Sequence, residues 1–184
     1  MARLERFNKD IIMNKSVEYI REYGINSFNV RSLSKYIGCS TQPLFRNYTN
    51  MDEFKKDLKK YLHKDYEVFI SNYVDMDDYL YTISYAYALY AKENPKIFNA
   101  LFITELAGSR TIYEVINSSW NRDTIECMTK QYNISLDKAE MIYRDVRFYT
   151  HGISTQLCCN SIKMSNKELG DLIRNMIDMC VNNY

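Results

Sequence analysis

Two short helical patterns separated by one glycine constrain the fold of this chain more than any other feature. The first pattern covers residues 30–37, the second covers residues 41–47, and Gly38 lies between them. Glycine accepts the left-handed backbone conformation that a sharp turn between two helices requires. Leu33 in the first pattern and Leu44 in the second are spaced to face each other and a preceding helix. This arrangement predicts a helix-turn-helix.

Helical periodicity also dominates the rest of the chain. Its 184 residues include only five glycines and two prolines, whereas folds rich in β-strands need many turns. We therefore predict an all-α fold of about nine helices. Their predicted ranges are 4–23, 30–37, 41–47, 51–74, 77–93, 95–106, 112–131, 136–161 and 166–181.

The charge is distributed unevenly along the chain. Residues 1–64 contain 13 Lys and Arg against 7 Asp and Glu, whereas residues 65–184 contain 11 against 16. A basic end on an acidic body is typical of a protein whose one end contacts a polyanion such as nucleic acid. The alternative is a cluster of solvated lysines on helix surfaces, and charge alone does not decide between the two.

Packing of the two short helices leaves one side of the second helix exposed, where its residues fit the major groove of DNA. Arg46 can pair with guanine or a phosphate, Gln42 can make a bidentate contact with adenine, and Arg31 suits a phosphate contact. Ser40 is the predicted N-cap of the second helix. The predicted DNA-binding residues are Arg31, Ser40, Thr41, Gln42, Phe45, Arg46 and Asn47.

The pattern continues on both sides of the helix-turn-helix. Gly24 ends the first helix, Phe28 follows in the turn, and the acidic pair Asp52 and Glu53 opens the fourth helix. Over about residues 7–60, roughly one third of the chain, this pattern resembles the N-terminal part of the tetracycline-repressor (TetR) family. The matching positions are Gly24, Phe28, Val30, Leu33, Gly38, Cys39, Ser40, Leu44, Phe45, Tyr48, Asp52, Glu53 and Phe54.

The resemblance implies a two-part architecture. Residues 1–50 would form the helix-turn-helix DNA-binding domain. Residues 51–184 would form a helical ligand-binding and dimerisation domain, joined to it through the fourth helix. The last two helices, at about 136–181, would pair with those of a second copy in a four-helix bundle and so form a homodimer. That dimer would bind a pseudo-palindromic operator in double-stranded DNA as a repressor, and an unknown small-molecule effector would release it.

Three positions depart from the family pattern. Phe45 stands where family members often have a tyrosine whose hydroxyl contacts a phosphate, and Met51 stands where many have a lysine that makes another such contact. Lys55 is a candidate to replace that lysine. Pro43 replaces a small residue, which we expect to alter the angle of the second helix in the groove.

The predicted middle helices are rich in tyrosine and other aromatic residues. A tyrosine combines an apolar ring with a polar tip, which suits a site for a drug-sized ligand and also suits ordinary core and surface positions. The predicted ligand-binding residues are Tyr81, Tyr85, Phe102, Trp120 and Tyr149.

The cysteines form no metal-binding pattern. None of the five is part of a CxxC pair, and His63 and His151 are the only histidines that could join them. We expect reduced thiols, no metal and no cofactor, with a redox role for Cys158 and Cys159 as the alternative. No signal peptide and no apolar run of about 18 residues is recognisable, so we expect a cytoplasmic protein without a membrane span.

Two other functions compete with the regulator. One is a small helical enzyme that uses His151 with Tyr149, Asp145 or a cysteine, but no catalytic motif supports it, so we predict no enzyme and no catalytic residue. The other is a DNA-binding adaptor whose body senses a partner protein instead of a small molecule. A dependence of DNA affinity on a small molecule would distinguish the regulator from the adaptor.

Overall fold

The fold is all-α, as predicted. The computed structural model describes residues 7–184, with the backbone alone at Glu105. Over this range there are ten α-helices and three short 3-10 turns, and no β-strand. None of these helices combines the length and apolar character that crossing a membrane requires. The helices are α1 (Lys9–Tyr23), α2 (Val30–Ile37), α3 (Gln42–Asn47), α4 (Met51–Ser71), α5 (Tyr79–Glu93), α6 (Pro95–Phe102), α7 (Ile112–Ile116), α8 (Ser119–Gln131), α9 (Leu136–Cys158) and α10 (Asn166–Asn183).

Side-chain caps and a glycine set the ends of the first two helices. The Asn8 side chain accepts a backbone hydrogen bond in the first turn of α1 (2.9 Å). Asn29 starts α2 through a reciprocal capping box with Ser32, and Gly38 ends it in the left-handed conformation at φ 78°. The part of the predicted first helix at residues 4–6 lies outside the described residues.

The predicted continuous helix 112–131 is wrong, because the chain breaks at Asn117 and Ser118 into α7 and α8. Ser118 has an extended backbone (φ −67°, ψ 146°). Asn117 donates from Nδ2 to the carbonyl oxygen of Tyr113 (2.9 Å), and Ser118 donates from Oγ to that of Val115 (3.1 Å). Such local bonds offer the backbone an alternative to a continuous helix. The described residues therefore form ten helices where the sequence predicts about nine.

The described residues form two compact units. The first contains the described residues up to Glu67 together with Lys96–Ala107, and the second contains Val68–Pro95 and Gly108–Tyr184. All of α6 except Pro95 therefore belongs to the first unit, although in the sequence it lies between two stretches of the second.

The core of the first unit combines apolar residues of α1, α2, α4 and α6. Two lysines add polar links within this unit. Lys59 of α4 donates to the carbonyl oxygen of Ala107 (2.9 Å), and Lys96 of α6 donates to that of Glu22 at the end of α1. The buried core residues include Ile12, Met13, Ile20, Leu33, Leu58, Leu62, Ile97, Phe98 and Leu101.

In the second unit, α5 packs against α8, α9 and α10. Lys92 near the end of α5 donates to the carbonyl oxygen of Met164 (2.9 Å) and to Oδ1 of Asn166 (2.7 Å). These bonds tie the loop between α9 and α10 to α5. The buried core includes Leu80, Ala88, Ile125, Met128, Ile142, Val146, Ile153, Leu169, Ile173 and Ile177.

Candidate nucleic-acid interface and ligand site

Apolar and aromatic packing fixes α3 within the first unit. Leu33 and Leu44, which the sequence predicts to face each other, are 0% and 2% exposed. Tyr48, directly after α3, packs edge-on against Phe54 of α4 with ring centroids 5.0 Å apart, and Phe54 stacks on Phe28 at 5.8 Å. These contacts leave the opposite side of α3 exposed, and the predicted helix-turn-helix is confirmed as a structural element.

The exposed side of α3 carries three of the seven predicted DNA-binding residues, Gln42, Phe45 and Arg46. Phe45 is 55% exposed. Thr41 and Asn47 are half-buried, and the Asn47 amide donates to the carbonyl oxygen of Pro43 (2.8 Å). The exposed members of the predicted set are Arg31, Ser40, Gln42, Phe45 and Arg46.

The start of α3 differs from the prediction. The helix begins at Gln42, its N-cap residue is Thr41, and no side chain caps it, so Ser40 is not its cap. Thr41 already has helical backbone angles (φ −72°, ψ −16°), whereas a side-chain cap needs an extended residue at this position. Pro43 lies in the first turn, where its missing N–H costs no intrahelical hydrogen bond.

Two groups of cations in the first unit differ in their partners. Lys9 and Arg21 of α1 form ion pairs with Asp57 and Asp65 of α4, which neutralise them. The cations of the second group, on α2 and α3, form no ion pair with any residue in the range 7–184. This second group consists of Arg31, Lys35 and Arg46. Arg31, Lys35 and Arg46 therefore give α2 and α3 three exposed cations that can attract a polyanion.

Two solved structures of transcription regulators share this arrangement of helices. A TetR-like transcriptional regulator from Rhodococcus sp. RHA1 is 11% identical, with 100% of both chains covered and a TM-score of 0.66. A TetR variant from Acinetobacter baumannii AYE, in complex with minocycline, is 13% identical over 95% of this chain and 94% of the other, with a TM-score of 0.58. The chain has the fold of a TetR-like transcriptional regulator. No protein-family model and no curated protein sequence matches it.

Four of the five predicted ligand residues of this TetR-like chain lie in the second unit. Tyr81 and Tyr85 stack on each other along α5 with ring centroids 5.9 Å apart. Trp120 on α8 is 43% exposed, and Tyr149 on α9 is half-buried against the core of the second unit. The structure thus brings Tyr81 and Tyr85 into contact with each other.

The fifth predicted ligand residue, Phe102, belongs to the first unit. Its ring packs with those of His63, Tyr66 and Phe98, at centroid distances of 6.1, 5.2 and 5.0 Å. Tyr81 and Phe102 belong to different units. Ligand binding by Tyr81 and ligand binding by Phe102 therefore remain two separate predictions.

Sequence reasoning did not single out a polar cluster between α5 and α9 of this TetR-like chain. The Tyr87 hydroxyl is hydrogen-bonded to Nδ1 of His151 (2.8 Å), and Arg147 contacts the Tyr143 hydroxyl from Nη1 (3.5 Å). Burial raises the pKa of Tyr87, whereas burial and the nearby Arg147 guanidinium lower the pKa of His151. Tyr143, Arg147 and His151 are spaced four residues apart, which in the sequence already indicates one side of a helix. The sequence does not show that Tyr87 of α5 is the hydrogen-bond partner of His151.

The residues considered for an enzyme have other partners. Asp145 accepts hydrogen bonds from Arg144 (2.6 Å) and from the Tyr184 hydroxyl, whereas His151 contacts Tyr87. The structure therefore does not pair His151 with Asp145.

The cysteines are free thiols in varied surroundings. Cys158 donates from Sγ to the carbonyl oxygen of Pro95 (3.1 Å), while its neighbour Cys159 is exposed. Within the described residues, no three His, Cys, Asp or Glu side chains are grouped so that they could hold a metal ion.

Proposed function

We propose that this TetR-like protein is a sequence-specific DNA-binding transcription regulator, and that it is a repressor which a small-molecule ligand releases from its operator. The observation that carries this proposal is the exposed side of α3, which presents Gln42 and Arg46. Two further exposed cations, Arg31 and Lys35, lie on α2 and form no ion pair with a described carboxylate. The DNA contacts would lie within residues 1–50, and the ligand-binding and dimer surfaces within residues 51–184.

In the proposed complex, α3 enters the major groove of DNA. Arg46 can make a bidentate contact with guanine and Gln42 with adenine, so these two side chains would read the sequence. Arg31 at the start of α2 would contact a phosphate and position the helix without reading bases. Phe45 would offer an apolar surface to a thymine methyl group.

A second copy of the chain would complete the DNA-binding form. On α9, Met141 and Phe148 are 40% and 50% exposed, and on α10, Leu172 and Met179 are 38% and 54% exposed. Each pair is spaced by two helical turns, which places its members on one side of the helix. Exposed apolar side chains in such a row favour a helical partner. A two-fold dimer would place two α3 helices about 34–36 Å apart, which is one turn of DNA.

The small-molecule part of the proposal draws on the second unit and on one comparison. The similar protein from Acinetobacter baumannii AYE is in complex with minocycline. In the present chain, α5 and α9 place tyrosine, histidine and arginine side chains together. A ligand that binds one conformation of this unit more tightly would shift the population of DNA-competent dimers.

Binding of the full-length protein to the DNA upstream of its own gene tests the proposal. Fluorescence anisotropy at two salt concentrations would compare the wild type with Arg46→Ala and Gln42→Ala. We expect specific binding that weakens with salt, and a loss of about 1–3 kcal/mol of binding free energy in each variant. Lys167→Ala is the matched control, because Lys167 is an exposed cation on α10, outside the interface.

Two results would contradict the proposal. If neither the upstream DNA nor a genomic fragment library shows sequence-specific binding, the regulator assignment fails. If specific DNA binding is found and only a partner protein changes it, the protein is an adaptor and the small-molecule release is wrong.

A further inference from the structure

Phe45 of α3 is an aromatic residue that the first unit does not use for its own aromatic packing. Nearby rings pack on one another, since Tyr48 contacts Phe54 and Phe54 stacks on Phe28. The Phe45 ring packs against no aromatic ring of the described residues. Phe45 is 55% exposed, whereas Tyr48 is 3% exposed. The fold therefore leaves a large apolar ring in contact with water.

The Phe45 ring lies on the same side of α3 as two side chains that can read bases. Successive helical residues are about 100° apart, so Gln42, Phe45 and Arg46 fall within an arc of about 100°. Leu44 lies on the opposite side and is 2% exposed. Gln42 and Arg46 are exposed, and their side chains suit hydrogen bonds to adenine and guanine. A surface that contacts both Gln42 and Arg46 therefore also contacts the Phe45 ring.

The charge of the two helices identifies the class of partner. Arg31, Lys35 and Arg46 are exposed cations of α2 and α3 that form no ion pair with a described carboxylate. Cations of this kind favour a polyanion. An apolar ring alone would suit many partners, but a ring that accompanies an amide, a guanidinium and further cations suits the major groove of DNA.

The chemistry of the major groove limits what the Phe45 ring can contact. The base edges present hydrogen-bond donors and acceptors there, and the apolar group among them is the C5-methyl group of thymine. A phenyl ring placed over a donor or an acceptor removes it from water and offers no hydrogen bond in return, which costs free energy. Phe45 also lacks a hydroxyl group that could bond to a phosphate. A methyl group is therefore its most favourable contact.

We propose that Phe45 reads a pyrimidine 5-methyl group in each half of the operator, so that the protein distinguishes a 5-methylated pyrimidine from an unmethylated one at that position. Because 5-methylcytosine carries its methyl group on the same ring carbon as thymine, it presents that group to the groove in the same place. Methylation of a cytosine at this position therefore strengthens DNA binding. This inference rests on the proposed function, since it requires α3 to enter the major groove.

Replacement of thymine by uracil in the operator tests the contact, because it removes one methyl group and keeps the hydrogen-bonding groups of the base. The operator is the DNA that full-length wild-type protein binds in the anisotropy experiment, and the thymines of each half-site are replaced one at a time. We expect one replacement per half-site to weaken wild-type binding by about four-fold, the factor for burial of one methyl-sized group. The same replacement should leave the affinity of Phe45→Ala unchanged.

A second pair of probes tests the response to cytosine methylation. At the position that the uracil series identifies, the T·A pair is replaced by C·G, with and without a 5-methyl group on the cytosine. We expect the wild type to bind the methylated probe about four-fold more tightly than the unmethylated probe. Phe45→Ala should bind both probes equally, whereas Phe45→Leu keeps an apolar side chain and should retain part of the preference.

Gln42→Ala is the matched control, because it removes a base-reading side chain from the same side of α3. Its overall affinity should fall, but its ratio of thymine to uracil binding at the Phe45 position should equal that of the wild type. Thermal melts of each variant would show that it is folded, as we expect for a substitution at an exposed residue. If every uracil effect persists in folded Phe45→Ala, another side chain makes the methyl contact and the proposal is wrong.

The possible results separate this inference from the regulator assignment. Specific operator binding without any effect of uracil, or with equal binding of the two cytosine probes, would overturn the methyl contact and leave the regulator standing. An equal loss of affinity in Phe45→Ala on all probes would also overturn it, since the ring would then contact the sugar-phosphate backbone. If no DNA is bound specifically, both proposals fail together.

Discussion

Lys59 of α4 donates a hydrogen bond from Nζ to the backbone carbonyl oxygen of Ala107, at 2.9 Å. The two residues are 48 positions apart in the sequence and both belong to the first unit. The bond holds the end of the segment Lys96–Ala107 on α4. The chain leaves the first unit once after Glu67 and again after Ala107. The bond therefore fixes the second of these two points.

Replacement of Lys59 by methionine should destabilise the protein, because the Ala107 carbonyl loses its charged partner while the apolar stem is kept. We expect the free energy of unfolding to fall by about 1 kcal/mol. Urea denaturation followed by circular dichroism measures it. Lys56→Met is the control, since Lys56 is an exposed lysine of the same helix. Equal effects of the two substitutions would show that the hydrogen bond contributes nothing.

The caps of the helix-turn-helix can be tested by a pair of substitutions. Asn29→Ala removes the capping box of α2 and should cost about 1 kcal/mol of stability. Ser40→Ala should leave stability almost unchanged, because Ser40 caps no helix. Urea midpoints of the two variants provide the comparison. A larger loss in Ser40→Ala than in Asn29→Ala would contradict the described start of α3.

Two helical glycines of the second unit should respond oppositely to alanine. A Cβ at Gly170 would lie 2.8 Å from the Tyr81 hydroxyl, whereas a Cβ at Gly152 would meet no atom within 4 Å. We expect Gly170→Ala to lower the unfolding free energy by about 1–3 kcal/mol through overpacking. Gly152→Ala should raise it by about 0.5–1 kcal/mol through helix propensity. Thermal unfolding distinguishes the two, and stabilisation by Gly170→Ala would show that Tyr81 moves freely.

Stability should fall as the pH is lowered through the range in which an unperturbed histidine titrates. The pKa of His151 in the folded protein is below its ordinary value of 6.5, because burial and Arg147 disfavour its charged form. Below pH 6.5 the unfolded chain therefore binds more protons than the folded one, which lowers the free energy of unfolding. Above pH 6.5 this loss of stability is absent. His151→Gln should flatten the dependence of the unfolding free energy on pH between about 7 and 5. An unchanged slope would show that other groups cause it.

The proposed dimer predicts a change in molecular mass. Phe148→Asp together with Met179→Asp places charges among the exposed apolar side chains of α9 and α10, and should convert a dimer into a monomer. Sedimentation velocity of the full-length protein measures this. Met76→Asp is the control, because Met76 is 63% exposed but lies outside these two helices. A monomeric wild-type protein would contradict the proposal.

Some local features are predicted correctly from the sequence. Gly38 lies between the two predicted helices and ends α2 in the left-handed conformation, so its residue type alone indicates this boundary. The break at Ser118 was not predicted. A serine side chain can form several local bonds with the backbone, and the sequence does not show that this one bonds to Val115 and interrupts the helix.

Contacts between distant parts of the chain were beyond the reach of sequence reasoning. The Tyr87–His151 bond joins residues 64 positions apart, and only the packing of α5 on α9 brings them together. For the same reason, helical periodicity could not show that Phe102 belongs to the first unit and Tyr81 to the second. The exposed side of α3 was predictable because it depends on two adjacent helices.

The discontinuous first unit has a consequence for protein synthesis. Its core includes Ile97, Phe98 and Leu101, which the ribosome adds only after it has made the stretch Val68–Pro95 of the second unit. A nascent chain that has emerged only as far as Glu67 lacks these side chains and leaves the apolar faces of α1 and α4 without part of their cover. The first unit therefore reaches its final packing only when Ala107 has left the ribosome, by which time α5 has already emerged.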